Sequence, residues 1–330
     1  MALEIFRAHE YLRRRIHPEG TYEGLLAFPR YIEIETVNVC NARCPMCTID
    51  DWERGGRPMT DELYRKIAAE LREHAGEIER VSLYRDGEPL IDKKLAERTA
   101  MLKQAGIKRV SISTNVSLLN ERRSRDLLQA GLDVVIMSID SLKKDVFESI
   151  RVRLKFEEVM ANALRFIELR NQLRPETQVW MRMIRQDSNH DEWPAYERFW
   201  SAHLGPQDRV YYHNIFNWGG QLKGFKPVVA SYEPNLPCVA LWSLMVIFSN
   251  GDVPLCNVDY NNRFPTGSVV QNSIAEIWWS EIVHERRRLH LSGEKACIAP
   301  CGSCNVWDEP PGATSISAEY VSAVPIEAVL

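Results

Sequence analysis

From residue 31 to about 214 the apolar positions of the chain switch repeatedly between two periods. Residues 31–38, YIEIETVN, alternate apolar and polar side chains, the two-residue period of a half-buried strand. Leu63, Ile67 and Leu71 then recur at helical spacing. Thr60 stands before them as an N-cap, with Asp61 and Glu62 at the positive end of the helix dipole. A strand at 81–84 and a helix at 93–104 repeat the alternation. Gly106 and Gly131 each follow a Gln-Ala pair and precede the β-rich runs 109–113 and 134–139, where a glycine past a helix end belongs. A helix at 155–171, a strand at 177–184, a helix near 192–203 and a strand at 209–213 follow. Six β/α alternations predict an α/β fold with a parallel sheet, either open or curled into a partial barrel.

Past residue 215 the pattern loosens. Residues 217–227, NWGGQLKGFKP, read as loop, and 238–304 as short strands and turns. One helix at 273–289 carries Trp278 and Trp279, both expected in the core. The tail from Pro310 reads as a loosely ordered extension. The longest apolar run, 241–248, contains Ser243 and is too short to cross a bilayer. No apolar segment follows the basic residues near the N-terminus, so a cytoplasmic location without membrane association is expected. A net charge of -4 gives no general attraction for nucleic acid. The arginines at 13–15 read as a solvated turn or helix face.

The cysteines change this bland picture. Eight of them stand at 40, 44, 47, 238, 256, 297, 301 and 304, with none in the 190 residues between 47 and 238. Two tight groups in a long chain point to metal rather than to a disulfide scaffold. Cys40, Cys44 and Cys47 follow the first strand directly, in the spacing C-x3-C-x2-C. Structural zinc wants four ligands, and no fourth Cys or His lies nearby in sequence. Three thiolates around an iron–sulfur cube leave one iron open to a small chelating molecule. The second group, Cys238, Cys256, Cys301 and Cys304, suits a closed zinc site or a fully ligated cluster, and spacing alone does not choose. Because ligands in α/β folds collect at the C-terminal ends of strands, Cys40, Glu88, Asn115, Asp140, Arg185 and His213 should meet at one mouth.

The three-cysteine motif after a strand resembles the signature of the radical S-adenosylmethionine (SAM) superfamily. Asp86-Gly87-Glu88-Pro89 is similar to the GGEP motif of that family, with Asp86 where the first glycine stands. The resemblance implies a partial (β/α)6 TIM-like barrel over 31–215, preceded by an N-terminal extension at 1–30. It implies a [4Fe-4S] cluster on Cys40, Cys44 and Cys47, whose open iron chelates SAM and yields a 5′-deoxyadenosyl radical. Gly87 and Glu88 are then expected at the SAM amino group, and Ser113, Asn115, Ser138 and Asp140 at the ribose. Arg151 takes the carboxylate, an anion suited to a guanidinium. Met46 stands where the family places an aromatic residue over adenine, and offers a polarizable apolar contact instead.

The segments around Cys238 and Cys256, SIAEIWWS and the final CxxC resemble the small C-terminal SPASM/twitch domain of the same superfamily. The domain is expected over 216–309, with one auxiliary [4Fe-4S] cluster on Cys238, Cys256, Cys301 and Cys304 and the tail at 310–330. Twitch-type relatives include enzymes of the 2-deoxy-scyllo-inosamine dehydrogenase and neomycin C epimerase types. That resemblance implies hydrogen abstraction from a carbinol carbon of a sugar or aminocyclitol, in aminoglycoside-type antibiotic biosynthesis. Cys297 is left over: a spare ligand or small apolar filler, or a hydrogen donor that would make the product an epimer. Epimerisation is the preferred expectation on that ground, with dehydrogenation to a ketone as the alternative. SPASM enzymes also modify peptides, but only 39 residues precede Cys40, little room for a peptide-recognition domain. Arg185, Asn189, His190, His213, Asn214 and Asn217 are further candidates for a hydroxyl-rich substrate. A flavodoxin or ferredoxin is the expected electron donor, since such centres work near roughly -400 mV.

Overall fold

The computed structural model describes residues 2–215, 218–222 and 236–304. Asn217, most of the 217–227 loop and the tail from 310 lie outside the described residues. Two helices, α1 (Ala2–Ile16) and α2 (Tyr22–Ala27), precede a run of β/α units. These are β1 (Tyr31–Ile34), α3 (Asp61–Glu73), β2 (Arg80–Ser82), α4 (Leu95–Gln104), β3 (Val110–Thr114), α5 (Glu121–Gln129) and β4 (Val134–Ser138). Then come α6 (Lys144–Ile150), α7 (Phe156–Leu173), β5 (Gln178–Arg185), α8 (Trp193–Ser201) and β6 (Arg209–Asn214). The C-terminal part contributes α9 (Ala240–Ser243), β7 (Leu244–Ile247), β8 (Asp252–Val253), β9 (Gly267–Ser268), α10 (Ile274–Trp278) and α11 (Glu281–Leu291).

The anticipated local signals are in place. The Thr60 hydroxyl accepts from the Leu63 N–H at 3.2 Å, so α3 starts where its cap says. Gly106 and Gly131 adopt φ of 87° and 88°, the left-handed backbone that ends a helix. β3 and β4 are buried along their whole length, as strands covered by helices on both faces must be. β1 ends at Ile34, four residues short of the expected span, and only then does the chain run on toward the cysteine loop.

The six expected strands pair in parallel in the order β6-β5-β4-β3-β2-β1, and β7 extends the sheet on the far side of β1. The apolar run 241–248 therefore supplies α9 and a seventh strand of the main sheet. A boundary near 215 divides the sequence without dividing the sheet. The single helix expected at 273–289 is two. Ser273 forms a capping box with Glu276, and seven residues on the Ser280 hydroxyl accepts from Val283 N–H to start α11. The break turns Trp278 into the core and leaves Trp279 49% exposed. The basic run at 13–15 is likewise mixed: Arg13 and Arg14 pair with Glu10 on the surface, whereas Arg15 is buried. Among the described residues no helix is long and apolar enough to cross a membrane.

One buried ion pair locks the outer layer to the sheet. Arg170 of α7 grips Asp208 with both guanidinium arms at 2.7 and 2.8 Å, and the same carboxylate accepts from Val179 N–H of β5. Both side chains are essentially inaccessible. Removing one partner strands the other charge in the interior. Asp208→Ala should therefore lower stability by about 3–5 kcal/mol, seen as a lower midpoint in urea denaturation; an unchanged midpoint would contradict the assigned role.

Candidate active site

Cys40, Cys44 and Cys47 lie on the loop that leaves β1, all three partly buried. Burial pushes the thiol of Cys40 up to about 11 and that of Cys47 up to about 12. Donors nevertheless face the sulfurs. Ala42 N–H reaches Cys40 Sγ at 3.4 Å, and Arg151 Nη1 reaches Cys44 Sγ at 3.6 Å. These groups suit thiolates once a metal has displaced the protons.

The three sulfurs open on a cavity of about 210 Å³ at the C-terminal ends of the strands. Met46, Gly87, Glu88, Ser113, Asn115, Ser138 and Arg151 all line it. So do His213 and Asn214. Of the mouth expected from the strand pattern, Cys40, Glu88, Asn115 and His213 thus converge, while Asp140 and Arg185 stand behind the lining.

The loop after β2 is shaped by two residues. Gly87 has φ of 104°, and a Cβ there would sit 2.6 Å from the Val39 carbonyl oxygen, so no other residue fits without moving the cysteine loop. Glu88 is wholly buried, and its carboxylate is engaged by the protein. It accepts from Leu90 N–H at 3.1 Å, Thr114 Oγ1 at 2.7 Å and Asn115 N–H at 2.8 Å. Its carboxylate is therefore a brace between β2 and β3, which leaves the loop backbone to meet a ligand. Asp86, the departure from the family motif, pairs with Arg54 at 3.0 Å and Arg85 at 3.5 Å, and burial raises its carboxyl to about 6.

Asp140 works through Arg151. It is fully buried, accepts from Ile184 N–H at 2.8 Å, and holds Arg151 Nε at 2.6 Å. Arg151 Nη2 is buried without a hydrogen-bond partner, in a wall of the cavity. A buried unpaired guanidinium nitrogen is costly, and an anionic ligand such as a carboxylate fits it. Ser113 and Ser138 are bridged by Arg182 of β5, whose Nη2 donates to their hydroxyls at 2.9 and 2.7 Å. Asn115 is oriented by Ser117 and donates to Asn41 at 2.9 Å.

Arg182, Tyr84, Arg85, Trp52, Trp218 and Asn257 line the cavity too and were missed in the sequence. Arg182 had a signal: a charged residue in mid-strand of a buried sheet needs a reason to be there. Three other candidates serve the scaffold. Asn189 caps the carbonyls of Asp140 and Ile184, Arg185 donates to Asn214 and stacks on Tyr212, and His190 bonds its own turn at Asp187.

The second set of thiols gathers at the end of the chain. Burial raises the Cys256 thiol, and the nearby thiols of Cys301, Cys304 and Cys238 raise it further. Gly219 and Gly220 adopt φ of 68° and 81°, and a Cβ on either would strike Pro300 or Ser303 of the cysteine turn at under 3 Å. Among the described residues no three of these side chains converge as ligands of a single ion; a cluster, where each thiolate binds a different iron, needs wider spacing. Cys297 stands apart. It is exposed, in an open groove with Phe264, Ile282, Arg286 and Leu289, and lines no part of the cavity.

Three partly buried thiols beside a buried arginine with an unpaired guanidinium nitrogen form a site suited to an iron–sulfur cluster and an anionic ligand. Residues 34–174 match the radical SAM superfamily and 238–305 the SPASM iron–sulfur cluster-binding domain, so the chain carries a radical SAM domain followed by a SPASM domain. Such domains bind SAM with a [4Fe-4S] cluster and auxiliary iron–sulfur clusters, respectively. The GTP 3′,8-cyclase of Chlorobaculum tepidum is 31% identical over 174 residues, 52% of this chain and 50% of the cyclase. The chain spans half or less of the curated relatives it matches first. In fold it is similar to BtrN solved with AdoMet and 2-DOIA, at TM-score 0.61, 20% identity, 89% of this chain and 99% of BtrN. It is also similar to Streptococcus suis SuiB bound to the precursor peptide SuiA, at TM-score 0.64, 15% identity, 86% of this chain and 71% of SuiB.

Two outcomes follow from the site. Asp140→Asn removes the charge that fixes Arg151 and should weaken SAM binding about tenfold, or about 1.4 kcal/mol, in equilibrium dialysis of the anaerobic protein; unchanged affinity would refute the Asp140–Arg151 relay. Because burial raises the Cys40, Cys47 and Cys301 thiols, cluster assembly must release protons, and iron uptake should become more complete from about pH 7 to about pH 9, by iron assay.

Proposed function

We propose that this chain is a radical SAM dehydrogenase of a hydroxyl-rich small molecule, a sugar or aminocyclitol, oxidising a carbinol carbon to a ketone. The observation that carries this reading is Asn257. It directly follows Cys256, yet lines the same cavity as Cys40, Cys44 and Cys47, so a substrate held there lies between the two thiol sets. When bound, SAM and the two clusters supply the chemistry: a 5′-deoxyadenosyl radical to take the hydrogen atom, and an auxiliary acceptor for the electron left behind. The substrate then gives up one hydrogen atom, one proton and one electron, and becomes a ketone.

The protein's own residues hold and orient. Arg151, fixed by Asp140, takes the SAM carboxylate, and the backbone of the Asp86–Gly87–Glu88 loop takes its amino group. Ser113, Ser138 and Asn115 would meet the ribose hydroxyls, with Arg182 tying the two serines together. Met46 packs with Ile150 and Ile215 in an apolar patch beside Cys44 that suits an adenine face. Across the cavity Trp52, Tyr84 and Trp218 offer ring faces and His213 and Asn214 offer polar groups, the mixture that suits a polyol with apolar C–H faces. The likeness to BtrN with bound 2-DOIA supports a small substrate. Cys297 lies outside the cavity, and with it the hydrogen donor that epimerisation needs. A flavodoxin or ferredoxin is proposed as the reductant. The second reading is a peptide substrate, favoured by the likeness to SuiB with its precursor peptide.

The reconstituted, reduced protein should convert SAM to 5′-deoxyadenosine and, given an aminocyclitol, release a ketone. In D2O the recovered carbon should carry no solvent deuterium, and Cys297→Ala should retain turnover. An inverted, deuterated alcohol that depends on Cys297 would replace the dehydrogenase by an epimerase. Saturable binding of a leader-like peptide in place of the aminocyclitol would favour the second reading.

A further inference from the structure

The two sets of thiols sit in opposite electrostatic surroundings. Around Cys40, Cys44 and Cys47 the nearby charged groups are Glu88, Asp86 and Asp140, against Arg151 and Arg43. Around Cys238, Cys256 and Cys301 the charged groups described are Lys295 and Arg286.

Lys295 opens the short turn Lys295–Cys297 that leads to Cys301, and only 6% of it is exposed. Its ammonium donates at 2.9 Å to the carbonyl of Leu236, two residues before Cys238. The buried charge is thus pinned where the chain enters one thiol, while its own backbone leads to another. Both Cys238 and Cys301 feel it. Arg286 reaches from α11 to the carbonyl of Phe264 at 3.1 Å, and Phe264 packs with Cys256 and Cys301 against one apolar cluster. Its guanidinium acts on Cys301, and the thiols of Cys301 and Cys256 act back on it.

Asp259 offsets part of the Arg286 charge, and other described ionisable groups nearby are engaged with one another. Asp259 is the acid facing Arg286, and its carboxylate accepts from the backbone N–H groups of Leu255, Arg263 and Phe264. Arg263 pairs with Glu53, and Arg288 with Glu285 and Glu294. His290 accepts from Cys238 N–H at 3.2 Å through Nδ1, and burial, which lowers its pKa to about 4, leaves its ring neutral.

We propose that Lys295 and Arg286 set the reduction potential of the auxiliary cluster, holding positive charge against Cys238, Cys256 and Cys301 so that it accepts an electron more readily. The inference rests on the reading of those thiols as ligands of an electron-accepting cluster. A four-thiolate cluster is anionic and gains a further negative charge on reduction. Fixed positive charge stabilises the reduced state more than the oxidised one, and net charge is among the levers that set such potentials. Burial keeps water from screening the Lys295 charge, while the half-buried Arg286 is screened more.

The test is a redox titration of the reconstituted, SAM-bound holoenzyme, followed by electron paramagnetic resonance of the auxiliary centre. Lys295→Met and Arg286→Gln should each move its midpoint to more negative values, and the double variant further than either. Lys295→Arg and Arg286→Lys should stay near the parent. If Lys295→Met fails to assemble a cluster, the half-buried Arg286→Gln decides alone. Midpoints equal to the parent with full iron content would overturn the proposal, as would zinc at these thiols. The titration needs neither substrate nor turnover, so it stands apart from the product assay that judges the dehydrogenase reading.

Discussion

A knot of five buried charges holds this structure together at its functional end. Glu33 and Glu35 of the β1 segment and Asp86 of the loop after β2 face Arg54 and Arg85. Arg54 clamps Glu35 at 2.7 and 2.9 Å, reaches Asp86, donates to the Tyr260 carbonyl at 2.6 Å and lies over the ring of Phe248 at 3.5 Å. Arg85 joins Glu33 at 3.1 Å and the Asn257 carbonyl at 2.7 Å. Burying so many ions is expensive unless each finds its partners, and here each does. What the knot secures is register between distant parts of the chain. Arg54 lies just past Cys47, Arg85 and Asp86 just before Gly87, and Asn257 and Tyr260 just past Cys256. Both thiol sets and the loop after β2 are tied to one point.

That knot explains the departure from the family motif at residue 86. A glycine there would leave two arginines facing two glutamates, with nothing to bridge them. Asp86 touches both arginines and makes one network of two pairs. The cost is a surplus negative charge in a dry place, visible in the raised carboxyl of Asp86. The neighbouring motif residues show the same division of labour. Gly87 permits close approach to Val39, Glu88 braces β2 against β3, and Asp140 aims Arg151. Much of the motif holds the wall in shape, and Arg151 with the loop backbone is left facing the cavity.

Local signals were legible in the chain because short-range physics sets them. Alternation, the Thr60 cap, the Gly106 and Gly131 helix ends and the thiol spacings each depend on a few consecutive residues. The six β/α units and the gathering of Glu88, Asn115 and Arg151 beside Cys40 and Cys44 follow from them. What escaped depends on partners far away. Nothing near Arg54 announces Glu35, Asp86 or Tyr260, and nothing near Leu244 announces β1. Arg182 gives no local sign of its partners Ser113 and Ser138, which reach it from β3 and β4. Ser280 hides as a second cap because the apolar period runs through it almost unbroken.

The seventh strand bears on how the two halves can work as one. β7 pairs with β1 over Leu244–Ile247, while Ser249 N–H donates to Glu35 at 3.1 Å and Glu53 N–H to Asn261 at 2.9 Å. The β7 and Ser249 contacts join the stretch between Cys238 and Cys256 to the stretch just before Cys40, and the Glu53–Asn261 contact joins the residues just past Cys47 to those just past Cys256. The C-terminal half is therefore not a lobe hung on a linker; its first strand is an edge of the sheet that presents the N-terminal thiols. A hinge at this joint would have to break ladder hydrogen bonds and expose the charge knot together. Rigid placement is what electron transfer between a substrate and a second cluster requires, since the spacing must survive substrate entry and product release. In this fold the spacing is built into the sheet, and the cavity, walled from both halves, is where a substrate would meet it.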